Sequence, residues 1–461
     1  MAITNDSAIS AILKTWYAKE GVENLLFRNS PLLKKLTKVR VEGKTQNFSA
    51  LYGRGGAVSS NFNTAKANAL KASKNAEFAV EPGRLFSVYS MTAGEVQASL
   101  SKRGAYMKVA GNKMFAATEA FRKTLAAALY GRGYGEIGVT TSAYNFVTST
   151  AIDITLSDDA IMKIDVGSEL VFKATIGASE NASNYATVNS INGNTVNVTP
   201  SYTATVSSGS IVCIRGSQGN MPVGLDGWLP MVANRTSSTW TGYIDDDFFG
   251  VDRSTCADRL AGAFYVPSAS TEKKSVAVQN LIRKLRRQGS EADMIIMNDE
   301  DFAGLCSEIE TTNTYFTATS TKEKKNASIG FSELTASFST NFIENIIDDP
   351  YCPKGKFYVL DSKAVELWSY TNVDKVDDGI VGNNAGKQNI EEFDNEGKEN
   401  SPYGLIFDDY LNVKSGDDSD DGPSTQVSLM FYGSFVVTNP SVCGVGLIPS
   451  ADYTGVLGYT L

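Results

Sequence analysis

Histidine is absent from the 461 residues of this chain. That removes the Ser-His-Asp and Cys-His mechanisms, in which an imidazole carries the proton, and it removes the commonest zinc ligand. Cysteine is scarce: five residues, at 213, 256, 306, 352 and 443, with no Cys-x-x-Cys pair among them. An odd number of widely spread cysteines in mostly apolar surroundings reads as free, buried thiols in a reducing compartment. Long apolar runs are missing too, so no membrane-spanning helix is expected. The opening Met1-Ala2-Ile3-Thr4-Asn5-Asp6 lacks the basic-then-apolar layout of a secretory signal. Positive charge is the minority, with 42 Lys plus Arg against 51 Asp plus Glu and a net charge of -9. General nucleic-acid affinity rests on cationic patches, so this balance argues against it. It leaves room for a protein that faces nucleic acid without gripping it.

What the chain does have is one long helical pattern, from about Gly94 to Tyr130. Met107, Ala110, Met114, Ala117, Phe121, Leu125 and Ala128 recur at steps of three and four and make one apolar stripe. Lys108, Asn112, Lys113, Glu119, Arg122 and Lys123 fall on other faces. Some thirty-odd residues at ~1.5 Å each give a rod of about 45 Å. Gly131-Arg132-Gly133 ends it, offering a left-handed cap.

Around this rod the chain divides into expected regions. Residues 1–40 read as an N-terminal arm, with Ser7 capping a helix that carries Ile9, Ile12, Leu13 and Trp16. Residues 41–93 read as an extended two-stranded excursion. Phe48, Ala50 and Tyr52 alternate toward Gly53-Arg54-Gly55-Gly56, a polar tip holds Lys66, Lys71 and Lys74, and alternation resumes at Phe78, Val80, Phe86 and Val88. A hairpin of this length has too little core to stand alone and must lie on its own chain or on a neighbour. Residues 94–138 hold the long helix.

Residues 139–216 read as an inserted β-domain, a small barrel or sandwich, with runs at 152–156, 170–172, 185–191, 194–199 and 211–214 and an Asn192-Gly193 hairpin turn. Residues 217–270 form a connector with peripheral strands. Residues 271–425 read as an α/β domain with acidic loops: a helix with Val278, Leu281, Ile282 and Leu285 on one stripe, a strand at Met294–Met297, a helix capped by Asn298 or Asp299, a strand at 357–360, and a short helix from Asp361 to Trp368. Residues 426–461 supply returning strands.

Candidate chemistry falls short at each place it is sought. Gly43-Lys44-Thr45 resembles the end of a phosphate-binding loop, but that loop needs a glycine where Lys38 stands. Asp417, Ser419, Asp421 and Gly422 match the first half of a calcium loop, whose twelfth position is Ser428 instead of Glu. Asp245-Asp246-Asp247, Asp377-Asp378 and Glu391-Glu392 could pair carboxylates for glycoside hydrolysis, which needs them held in a cleft. Solvated acidic loops explain them more simply. No catalytic residue, cofactor or metal site is therefore expected.

Taken in order, the regions resemble the major capsid proteins of tailed double-stranded DNA bacteriophages, with the Hong Kong 97-type fold. The resemblance is carried by the sequence of arm, extended loop, spine helix, inserted β-domain, peripheral strands and axial α/β domain. Several short stretches also carry it: Asn29-Ser30-Pro31-Leu32-Leu33-Lys34, Gly224-Leu225-Asp226-Gly227-Trp228-Leu229-Pro230, Met297-Asn298-Asp299-Glu300-Asp301-Phe302, Asp349-Pro350-Tyr351-Cys352-Pro353-Lys354-Gly355 and Asn439-Pro440. It implies an α+β fold and a structural subunit that assembles, in the host cytoplasm, into the pentamers and hexamers of a virion capsid. It implies scaffolding and portal proteins as partners, with packaged DNA that is not bound sequence-specifically, and no membrane. The start of the arm close to Met1 makes a separate scaffold the expectation. Lys66, Lys71, Lys74, Arg54 and Trp16 are the residues expected at contacts between subunits. Relatives that cross-link a loop lysine to a neighbour's asparagine offer no matching acceptor here, so no cross-link is expected. An encapsulin-like compartment, a tail or baseplate protein and a carbohydrate-active enzyme are the alternatives.

Overall fold

The computed structural model describes residues 36–41, 44–53, 58–69, 74–92, 120–175, 178–181, 183–232, 247–312, 336–338, 341–343, 345–369, 405–408 and 424–450, with a few single positions near either end. Of the spine helix this includes residues 120–128. Met107, Ala110, Met114 and Ala117, and the arm with Ser7 and Trp16, lie outside the described residues.

The described turns of the spine helix keep the expected stripe: Phe121, Leu125 and Ala128 are buried. Arg122 departs from expectation, because it is buried as well. Ala126 and Ala127 are also covered, so from Leu125 onward this helix is enclosed on all sides. The helix end is also closed differently. Gly131 keeps an ordinary backbone, and Gly133 takes the left-handed one at φ +90°. The last carbonyls are satisfied by a segment about a hundred residues on. Leu225 N–H donates to Leu129 O at 2.7 Å and Gly224 N–H to Gly131 O at 3.0 Å. A Cβ on Gly224 would stand 2.3 Å from the carbonyl oxygens of Ala128 and Leu129, so this docking requires glycine.

Two five-stranded sheets meet at this point. The axial sheet runs in the order Ala263–Tyr265, Gly444–Leu447, Lys356–Leu360, Met294–Met297, Asn345–Asp348. Side chains alternate between its faces, and both faces are buried. Ile295, Met297, Phe357 and Val359 pack under the helix Lys274–Gln288 with Val278, Leu281, Ile282 and Leu285. Met294, Ile296, Tyr358 and Leu360 face the main core with Leu125, Leu129 and Trp228. That explains why these strands read as continuous apolar runs. Gly289 closes the helix in the left-handed conformation at φ +90°. Asn298 caps the next, Asp299–Thr312: its side-chain oxygen accepts from Glu300 N–H at 3.1 Å.

The peripheral sheet is built on one strand of 14 residues, Ser424–Val437. Gly83–Thr92 pairs with its first ten residues, and Val365–Ser369 pairs with its last five. Leu405–Asp408 pairs with Ser428–Phe431, and Thr37–Arg40 adds a parallel partner to Val365–Ser369. Two expectations change here. Residues 83–92 belong to this sheet and not to the hairpin of the excursion. Asp361 caps only the short 3-10 turn Ser362–Ala364, after which Val365–Ser369 is a strand and not a helix. Val365, Leu367 and Trp368 are buried, and pairing with the long strand overrides the local helical signal.

The insert has a core of its own, around Phe146, Ile154, Leu170, Val188, Val196 and Val212. Its six-stranded sheet runs from Glu136–Val139 through Ile211–Ile214, Glu169–Lys173, Ala186–Asn192 and Thr195–Pro200 to Ile152–Thr155. The sheet takes in residues just ahead of the expected start at 139. It is an open sheet with a small second pair, Tyr144–Phe146 on Ala204–Val206, a sandwich-like arrangement. Gly193, φ +56°, makes the expected Asn-Gly turn.

Candidate assembly interface

The excursion has a buried base and an exposed tip. Its strands are Gln46–Gly53 and Lys74–Val80, paired antiparallel from Gln46 opposite Val80 to Gly53 opposite Lys74. Alternation turns Phe48, Ala76, Phe78 and Val80 to one side, where they join the main core. Phe78 is fully buried and stacks on Phe48 with ring centres 5.2 Å apart. Trp228 stands 5.4 Å from Phe78, Phe248 lies 6.5 Å from it, and Trp368 meets Phe48 edge-on at 5.7 Å. Each such pair contributes about 0.5–1.5 kcal/mol beyond area burial. The Trp228 indole N–H donates to Phe435 O at 2.7 Å, tying the same cluster to the peripheral sheet. The Ala79 N–H donates to Phe249 O at 2.9 Å, and the Arg259 guanidinium donates to Tyr52 O. The base of the excursion is therefore fixed to its own subunit.

Beyond Gly53 the chain leaves that support. The tip, which the sequence shows only as polar and alanine-rich, forms a helix, Phe62–Ala69. Asn61 caps it, accepting from the N–H groups of Asn63 and Thr64 at 2.9 and 3.3 Å. A single helix of 8 residues is marginal in water without a packing partner. Its first residue, Phe62, is 78% exposed, and Val58 just before it is 97% exposed. Covering such a side chain is worth about 1.5–3 kcal/mol. Lys66 stands exposed on the tip helix, and Lys74 is exposed where the return strand begins. Lys71, Arg54 and Trp16 lie outside the described residues. In the sequence the lysines stand out by charge, and Val58 and Phe62 do not. The signal was there, as a lone phenylalanine between Asn61 and Asn63 in an otherwise polar stretch.

Three of the stretches that carried the resemblance, 224–230, 297–302 and 349–355, meet near the end of the spine helix. Lys356 and Asp226 form an ion pair with both side chains fully buried, and the Tyr358 hydroxyl donates to the second Asp226 oxygen. Tyr130 donates to Asp349 Oδ2 at 2.8 Å, and the Asn298 amide donates to Cys352 O at 2.8 Å. Burial pushes the Asp349 carboxyl up to about 6, against the Tyr351 N–H and the Tyr130 hydroxyl that favour its ionised form. Burial raises the Tyr130 hydroxyl as well. Arg253, also buried, donates to Gly227 O at 2.8 Å. These groups join elements to one another; each carboxylate is held by a donor from a different segment.

Cys213, Cys352 and Cys443 are buried thiols, and burial pushes Cys213 and Cys443 up to about 12. Among the described residues no group of His, Cys, Asp and Glu is placed to hold a metal ion. No described helix is long and apolar enough to cross a membrane. The Asp417–Asp421 loop, Asp245-Asp246, Asp377-Asp378 and Glu391-Glu392 lie outside the described residues.

No protein-family model and no curated protein matches the chain. Solved structures do. A chain of the cyanophage A-1(L) capsid asymmetric unit superposes with a TM-score of 0.52 over 92% of this chain and 93% of that one, at 12% identity. A chain from Mycobacterium phage Adephagia gives 0.38 over 91% and 90% at 11% identity, and one from an encapsulin complex of Synechococcus elongatus gives 0.38 over 93% and 89% at 7% identity. The chain shares with the cyanophage capsid chain the α+β Hong Kong 97-type fold, with an added β-insert.

Proposed function

We propose that the chain is the major capsid protein of a tailed double-stranded DNA phage. Its copies assemble through pentamers and hexamers into an icosahedral shell, the head of the virion. The observation that carries this reading is the superposition on the cyanophage capsid chain, which takes in nearly the whole of both chains. The excursion supports it physically. Its base is anchored in the subunit's core, while its tip presents Val58, Phe62 and Lys66 to whatever lies beyond. In a shell that neighbour is a second copy, and Lys66 and Lys74, with Lys71, Arg54 and Trp16 from outside the described residues, stand among the contacts. A contact of a few kcal/mol repeated on every subunit closes a shell that no single copy could hold.

The reading assigns no catalysis and no cofactor. It implies a portal and a scaffolding protein as partners, assembly in the host cytoplasm, and packaged DNA met without sequence preference. A chain of net charge -9 leaves such DNA free to move. The test is microscopy of the purified full-length protein, alone and with the scaffold of its own genome. Closed shells of uniform diameter are expected. Tubes or sheets would point to a tail or baseplate protein, and a small soluble particle under both conditions would overturn the proposal. Shells that fill with a protein cargo in place of DNA would point to an encapsulin-like compartment.

A further inference from the structure

A cleft of about 490 Å³ opens where three parts of the chain meet, and its charge is unbalanced. Arg84 reaches it from the strand Gly83–Thr92, Lys123 from the spine helix, and Lys163 from the insert. Arg215 and Glu169 also line it, but they neutralise each other across 2.6 Å, and Arg215 lies over the Tyr185 ring. Among the described residues Asp165 is the one further acid on the wall. The side chains of Arg84, Lys123 and Lys163 make no hydrogen bond or ion pair among the described residues.

Lys163 is the telling one. It is only 6% exposed, yet no carboxylate stands within ion-pair distance among the described residues. Burial pulls its ammonium below the ordinary lysine range, and Lys356 adds to this, while Asp159 and Glu136 oppose it through space. Its ammonium is not one of the fully enclosed polar atoms that lack a partner, so it keeps a solvent-facing edge, and its side chain borders this cleft and two others.

We propose that this cleft binds a phosphate group, held by Arg84, Lys123 and Lys163. A tetrahedral oxyanion offers acceptors in several directions, which suits donors arriving from three elements; a planar carboxylate serves two. Among the described residues, the three cations less Asp165 leave an excess of two positive charges, against the ~1.5 to 2 negative charges of a phosphate monoanion–dianion mixture at neutral pH. The bound group would link the spine helix, the strand Gly83–Thr92 and the insert, so it would fix how the insert sits. This site depends on the geometry of one subunit and not on the assembly reading.

The test is calorimetric titration of the full-length protein with inorganic phosphate, against sodium chloride at matched ionic strength. Saturable binding of one phosphate per chain is expected, with a raised melting temperature. The double variant Arg84→Ala/Lys123→Ala, at accessible side chains whose loss leaves the fold intact, should bind at least tenfold more weakly. Lys163→Met should abolish binding and, by removing a buried charge, keep or raise the melting temperature. Displacement of the phosphate by a short DNA duplex would identify the phosphodiester backbone as the source; no displacement would identify the free ion. Heats equal to those of chloride, or binding unchanged in the double variant, would overturn the proposal.

Discussion

The insert and the peripheral sheet are both largely antiparallel and of similar size, yet they are built in opposite ways. Every strand of the insert lies between Glu136 and Ile214, and its core draws on those residues alone. The peripheral sheet joins Thr37–Arg40 and Gly83–Thr92 to Val365–Ser369 and Ser424–Val437, across nearly four hundred residues of chain. The first can form from local turns. The second closes only after everything between its strands has found its place, and long loops must be closed before any pairing rewards them. The insert is a unit carried by the fold; the peripheral sheet is the fold.

The largest effects should come from the shared core. Trp228→Ala removes a ring packed on Phe48, Phe78 and Phe248 and leaves the Phe435 carbonyl without its donor. A loss of about 3–5 kcal/mol for the ring, plus about 1–3 for the unpaired acceptor, is expected. Calorimetry of the dissociated subunit should show the main transition fall while a transition belonging to the insert stays in place. If both fall together, the two regions are not thermodynamically separable.

The complementary change sits in the insert. Phe146 is fully buried between Phe172 and Tyr202. Phe146→Ala should cost about 3–5 kcal/mol, and the cost should be the same in the whole chain as in a fragment of residues 134–217. That fragment should be soluble and melt cooperatively. A fragment with a random-coil amide spectrum would show that the insert leans on the axial domain, which it touches where Lys354 N–H donates to Asp159 at 2.7 Å.

The spine end supplies a pH test of the same contrast. An acid whose folded pKa lies above its unfolded value holds its proton more tightly when folded. Asp349, near 6 when folded, therefore adds stability that is complete below about pH 4 and is lost as the pH rises through 6. About two units correspond to a span of roughly 3 kcal/mol. Asp349→Asn should flatten the denaturation midpoint of the main transition between pH 4 and 7 and leave that of the insert untouched. An unchanged pH profile in the variant would remove Asp349 from the account. On the same helix, Phe121→Ala should cost about 3–5 kcal/mol and Lys123→Ala no more than about 0.5 in phosphate-free buffer; equal effects would mean the helical phase is wrong.

How much of this could be read in the sequence follows the same division. The insert's strands and its Asn192-Gly193 turn were legible because the signals are local. So were the stripe Val278, Leu281, Ile282 and Leu285, and the buried strand Met294–Met297, where period and burial agree. Residues 83–92 look locally like part of the excursion, since their partner stands more than three hundred residues away at Ser424–Gly433. Val365–Ser369 read as helix for the same reason. Arg122 looked like a surface charge because a helical wheel shows one helix and not the elements closing around its end. At the interface the lysines stood out by charge, whereas Val58 and Phe62 matter through exposure, which only the fold reveals.

The smallest effect on the subunit, and the largest on assembly, is expected at the tip of the excursion. Residues 57–73 can be replaced by a short Gly-Ser link without touching the ladder, because Lys74 and Gly53 are its last paired residues. The base keeps Phe48 and Phe78 in the core, and the removed helix has Phe62 and Lys66 in solvent, so the dissociated subunit should melt within about 0.5 kcal/mol of wild type. Shells should fail to form, or should fall apart in mild denaturant, because each subunit loses the exposed Val58 and Phe62 that its tip can offer a neighbour. Phe62→Ser should show a weaker form of the same defect, and Lys66→Ala weaker still, since an exposed charge contributes little. Sedimentation and microscopy of the three variants, beside calorimetry of their subunits, set the order. Stable shells from the deletion would mean that the tip does not lap a neighbour. A deletion that cannot fold would mean that the tip, despite its exposure, supports its own chain.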